Sequence, residues 1–167
     1  MTDTANARLD QIIADCQNNA REATARLLKV FSFVPDGKLA WSPAPTARTS
    51  LALMAHCAMG NKAFASIIRG ETMSPMPTAE QMHASMKQFE VTVRDRATAA
   101  RLLQASCDEV VAALASLTPQ RYATTPSSPF GPMPMSFWAA LPAMHMNGHA
   151  TQMDYLQTIW GDMVDHM

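Results

Sequence analysis

Apolar positions recur at steps of three and four residues in four long segments of the chain, and prolines mark where each pattern stops. Leu9, Ile12, Ile13, Cys16, Ala20, Ala23, Leu27 and Phe31 form the first stripe, and Leu53, His56, Gly60, Phe64 and Ile67 the second. The third carries Ala99, Leu103, Ser106, Val110, Ala113 and Leu117. The fourth carries Trp138, Leu141, His145, His149, Gln152, Leu156 and Ile159. That is the period of an α-helix with one buried face. Ten of the 11 prolines fall between the stripes, where the missing N–H and the ring's clash with the preceding turn exclude helix interiors.

Gly70 is the expected stop of the second helix, and Ser136 the expected N-cap of the fourth. Pro142 is expected to bend the fourth helix just before its histidines. No stretch alternates as a strand does. Four helices of roughly 20–28 residues, about 30–42 Å long at helical rise, sharing one core predict an all-α four-helix bundle. The connectors, of about 10–20 residues, are long enough to cross the bundle, so chain order alone leaves the topology open. A single domain spanning 1–167 is expected.

Composition narrows the function classes. The 167 residues are 48% apolar and only 16% charged, with a formal net charge of −1. A nucleic-acid partner is not expected, because non-specific binding needs a basic surface. No continuous apolar run reaches the ~18 residues of a spanning helix, so no membrane partner is expected either. The opening MTDTANARLD has no basic region followed by an apolar one. Cys16, Cys57 and Cys107 are scattered and odd in number, as reduced thiols are. The expected location is the cytoplasm. The six glycines form no phosphate-cradling motif.

The strongest local signal is His145-Met-Asn-Gly-His149. An i, i+4 pair projects from one helical face with Cβ atoms about 5–6 Å apart, a spacing at which two imidazoles can chelate one ion. Both lie on the fourth stripe, and buried imidazoles need partners. The third ligand should also face inward, and His56 does so on the second stripe. Three imidazoles leave coordination positions open, whereas structural zinc sites usually close with four protein ligands. His83, in a connector-like stretch, and His166, at the end of the chain, read as solvated.

These residues resemble a family. The run Gly37-Lys38-Leu39-Ala40-Trp41-Ser42-Pro43-Ala44-Pro45, then Arg48-Thr49-Ser50 and His56, looks like the start of a DinB-like protein. So does the close, His145-x3-His149-x2-Gln152-x2-Tyr155-Leu156-x4-Gly161. The resemblance, to the DNA-damage-inducible DinB proteins and their YfiT-like relatives, covers essentially the whole chain. It implies a bundle with up-down-down-up connectivity and a divalent metal on His56, His145 and His149. It also implies a homodimer and, in some relatives, a metal that activates a low-molecular-weight thiol. Asn147-Gly148 between the histidines, and Ala150-Thr151 where an Arg-Gly pair is often found, depart from common members.

A metal with open positions can polarise a carbonyl, lower the pKa of bound water or hold a thiolate. Hydrolysis also wants a general base, and none is committed. Met146 stands where zinc proteases place Glu, Asp154 points away from His149, and Asp108 and Glu109 read as solvated. Thiol transfer to or from a small molecule therefore stands ahead of hydrolysis. Gln152 shares the histidine face and reads either as a group orienting a histidine or as a polar residue satisfied against the backbone. Cys57 reads as a small buried hydrophobe, and Arg94, Arg96 and Arg101 as a solvated face of the third helix. The Pro-rich 118–135 stretch, with Tyr122, Phe130 and Met133, reads as a lid or a rigid connector. Zinc or nickel, with iron also possible, suit three imidazoles. The alternative is a non-catalytic metal- or ligand-binding bundle.

Overall fold

The computed structural model describes residues 2–71 and 74–167, and every regular element among them is helical. The elements are α1 (Thr2–Phe33), α2 (Ser50–Arg69), α3 (Ala79–Glu90), α4 (Arg96–Ala115), α5 (Pro119–Tyr122) and α6 (Met135–Ile159), with a 3-10 turn at Asp36–Lys38. Four of them, α1, α2, α4 and α6, are the long helices of the bundle.

Local chemistry accounts for the boundaries. The Thr49 side chain accepts from Ala52 N at the start of α2, and Gly70 ends that helix at φ 85°, a left-handed value that a Cβ disfavours. The Asp95 side chain opens α4 by accepting from Thr98 N. In α6 the first residue is Met135, after Pro134. The expected cap at Ser136 is therefore corrected: proline already holds the extended entry geometry, and Ser136 falls inside the first turn.

Helix α3 replaces what reads in sequence as connector. Thr78 and Gln81 form a capping box, each side chain bonded to the other's backbone N–H, a signal that begins at the residue directly after Pro77. Arg96 is a second correction. It is not merely solvated: Nη1 donates to Phe31 O at 2.7 Å, and Nη2 to Val34 O and to Asp36 Oδ1, so α4's first residue caps the end of α1.

These pairings give the topology. The start of α4 lies at the end of α1, and Gln17 on α1 reaches Val111 O near the end of α4, so the two run antiparallel. Leu51 N, at the start of α2, bonds Leu39 O just past α1, and Asn61 bonds Ser106 on α4. Arg121, beyond α4, donates to Ile67 O and Ile68 O near the end of α2, so α2 and α4 are parallel. Thr24 meets Met146, and Gln157 reaches Val30 O, so α6 runs with α1. The order is up-down-down-up, with α1 and α2 on one diagonal. The long connectors carry the chain across.

The core is filled by Leu27, Val30 and Phe31 from α1, Leu53, Met54 and Ile68 from α2, Leu103 and Leu114 from α4, and Met135, Met146 and Met153 from α6. By length and composition α2 is a helix that could cross a membrane, but most of its apolar stretch is buried inside the bundle. On α6 the buried residues include Trp138 and Leu156, as predicted, but between them the buried line runs through Pro142, Met146, Ala150 and Met153. There the predicted stripe lies about one residue to the side, and Ile159 is exposed. His145 and His149 thus lie on the shoulder of the buried face rather than at its centre.

Candidate metal centre

The shoulder position brings three side chains together. His56 comes from the buried face of α2, and His145 and His149 from successive turns of α6, which runs antiparallel to it. Nε2 of His145 lies 3.1 Å from Nε2 of His56 and 3.1 Å from Nε2 of His149. The candidate ligand atoms of the three all fall within 4.8 Å of one another. Two nitrogens bound to one ion at about 2.0–2.1 Å stand about 2.9–3.4 Å apart for bond angles from right to tetrahedral. The donor set and its spacing fit a divalent ion.

Gly60 makes this approach possible. A Cβ there would sit 3.0 Å from His145 Cε1 and 3.4 Å from its Nδ1, so glycine lets the ring lie flat on α2. Phe64, one turn on, meets the same ring edge-on with centroids 5.4 Å apart.

The outer nitrogens are held separately. Nδ1 of His56 lies 3.0 Å from Oε1 of Glu90, a buried residue at the end of α3. The same oxygen accepts from Arg48 Nε at 2.8 Å. Nδ1 of His149 lies 2.8 Å from Oε1 of Gln152. A carboxylate and an amide oxygen are acceptors, so the His56 and His149 protons sit on Nδ1 and their Nε2 lone pairs face inward. Nδ1 of His145 is buried with no partner among the described residues. One proton on His145 Nε2 satisfies one of its two contacts and leaves the other as lone pair against lone pair.

Burial also keeps the rings neutral. It lowers His56 to about 3, with help from the Arg48 charge and the neighbouring imidazoles. It lowers His145 to about 3, with His149 and Arg48 contributing. His149 is lowered too, by burial, partly offset by its bond to Gln152. Neutral imidazole is the ligating form.

Glu90 is the functional candidate that sequence reasoning missed. It lies 34 residues from His56, on a helix read as connector, and no periodic pattern links them. The considered bases are elsewhere. Asp108 is exposed, Glu109 lies 3.7 Å from Lys62, and Asp154 accepts from His166 N. His83 is exposed as expected, but His166 is buried, which corrects its solvated reading. Cys57 is buried beside the site, and burial pushes its thiol well up, as a core residue rather than a thiolate. Phe130 does not cover the histidines. It lines a separate cavity of about 250 Å³ with Phe64, Ile67, Met76 and Trp138, toward the end of α2.

A family model described as the DinB superfamily matches residues 19–153. The fold is similar to a solved structure of mycothiol-dependent maleylpyruvate isomerase, with a TM-score of 0.70 and 16% identity, over 84% of this chain and 60% of that one. A variant of that enzyme with one histidine replaced by alanine gives 0.70 and 14% over the same shares. This chain therefore spans 60% of the length of those relatives. No curated protein sequence matches it significantly.

Proposed function

The chain belongs to the DinB superfamily, and from that membership we propose that it is a metal-dependent enzyme acting on a small molecule at His56, His145 and His149, with thiol transfer ahead of hydrolysis. The observation that carries the reading is the convergence of three Nε2 atoms whose outer nitrogens are engaged by Glu90 and Gln152 or buried on Gly60. A bound ion there supplies Lewis acidity or a thiolate anchor. Zinc or nickel, with iron third, suit three imidazoles.

This chain's own residues do the rest. Glu90 fixes the His56 tautomer, and Arg48 holds Glu90. Gln152 does the same for His149, which lies at the open side of the cluster beside Gly148, Thr151 and Tyr155. Thiol chemistry is favoured because Glu90 is the only carboxylate bonded to the three imidazoles among the described residues, and its Oε1 already takes two donors. A thiolate nucleophile asks less of the protein than an activated water does. The neighbouring fold of a mycothiol-dependent isomerase is consistent with that choice.

The reading includes a single domain, a cytoplasmic location, where Cys16, Cys57 and Cys107 stay reduced, and a homodimer. Exposed Met144, Tyr155 and Ile159 on α6 support the last. The test is a panel of low-molecular-weight thiols with electrophilic acceptors, and of ester and amide substrates, against zinc- and nickel-loaded protein. Metal-dependent thiol consumption that disappears in His149→Ala is the expected result. Loaded protein inert to the whole panel favours the non-catalytic binding protein, and ester cleavage without thiol favours hydrolysis.

A further inference from the structure

Behind the Nδ1 side of His56, between α3 and the 40–49 connector with the first turn of α2, runs an open groove of about 950 Å³ whose lining includes Arg48, Glu90, Lys87 and Arg94, with Glu80 and His83. The charges in it are unevenly matched. Glu90 is paired with Arg48, whereas Lys87 and Arg94 have no ion-pair partner among the described residues, which leaves Glu80 as the one other acid in the lining.

Arg48 is held in an unusual way. Its Nε donates to Glu90 Oε1, and that same oxygen faces His56 Nδ1. Its two terminal nitrogens donate to no protein group among the described residues, although the side chain is only 28% exposed. A guanidinium fixed at Nε and partly withdrawn from water presents its outer edge as a fork that matches the two oxygens of a carboxylate. The fork is already ordered, so binding an acid there freezes little further freedom. Two hydrogen bonds connect it to the His56 ring.

We propose that this groove is a binding site for a small organic acid, with Arg48 gripping the acid group and Lys87 and Arg94 drawing it in. It is set apart from the histidine cluster by the Glu90 carboxylate and the His56 ring, and it stands on the groove without the metal-centre reading.

Calorimetric titration of succinate into metal-free and zinc-loaded protein tests this, with elemental analysis of zinc in every sample. The expected result is saturable binding in both metal states, weakened about tenfold or more in Arg48→Gln and partly restored in Arg48→Lys. The double variant Lys87→Gln/Arg94→Gln, whose changes are both at exposed positions, should bind about threefold more weakly, with unchanged zinc content. Equal affinity in wild type and the double variant, together with Arg48→Gln that is folded by circular dichroism and still binds, overturns the proposal. So does binding seen only with zinc and indifferent to all three residues, or inorganic phosphate binding as tightly as succinate. Acid binding through Arg48 in a protein that takes up no zinc supports the acid site and overturns the metal reading instead.

Discussion

His166 and His56 are both buried histidines held by a carboxylate, one at the end of the chain and one on α2. His166 offers Nε2 to Asp162 Oδ2 at 2.9 Å, and its ring stacks on Phe33 with centroids 4.1 Å apart. Its backbone N–H bonds Asp154, and the adjoining Met167 carbonyl accepts from Lys29 on α1. These contacts clasp the tail onto the bundle. At His56 the carboxylate takes Nδ1, and Nε2 is left facing two more imidazoles. Burial alone therefore does not separate a structural histidine from a ligand. Which nitrogen the protein has already used does.

The largest expected effect breaks the comparison outright. His56→Ala, His145→Ala and His149→Ala should each lose the bound metal, from about one ion per chain to none by elemental analysis after dialysis. His166→Ala should keep the metal and lose about 1–3 kcal/mol of stability, read by denaturant unfolding, because it removes a stacked ring and leaves Asp162 without its partner.

The next effect acts through the outer nitrogen. Glu90→Gln retains the shape of the contact but weakens the acceptor on Nδ1, and zinc affinity should fall by about 10–100-fold in competition with a chromophoric chelator. The matching change at Gln152, Gln152→Ala, should cost less, a few-fold, because that side chain is exposed.

Acid acts on the histidine cluster. His56 and His145 are held at about 3 in the fold, against an ordinary value of 6.5 in the unfolded chain. Between those values the unfolded chain binds more protons, so the metal-free fold loses stability as pH falls below 6.5 and gains no more above it. Melting temperatures across that range should show a slope that flattens in His145→Ala and persists in His166→Ala.

The smallest effect sharpens the geometry. Gly60→Ala gains helix propensity of about 1 kcal/mol, yet its Cβ would press on His145 at 3.0 Å. Near-unchanged stability with weaker zinc binding is expected, measured by thermal melts and chelator competition on one sample.

Much of this was legible in the sequence where local spacing carries the information. The stripes of α1 and α4 match the buried faces, and an i, i+4 histidine pair must share a face wherever the helix sits. The stripe on α6 holds at Trp138 and Leu156 but runs one residue off between them, because that helix is apolar nearly all round and only packing against α1 and α2 selects its inner line. Helix α3 is amphipathic, with Met82, Met86 and Phe89 at helical spacing, but it is short, follows a proline cluster and buries a single residue, so it reads as connector. That one residue is Glu90. Its role depends on a fold that brings residues 34 apart together, which no local pattern records.

X-ray absorption of the zinc-loaded wild-type protein tests the central claim most directly, because it counts the atoms around the ion. Three imidazole nitrogens at about 2.0–2.1 Å, with the remaining positions filled by oxygen, are expected. A sulfur donor, a fourth protein ligand closing the shell, or no zinc retained after dialysis would contradict the assignment of His56, His145 and His149 as an open metal centre.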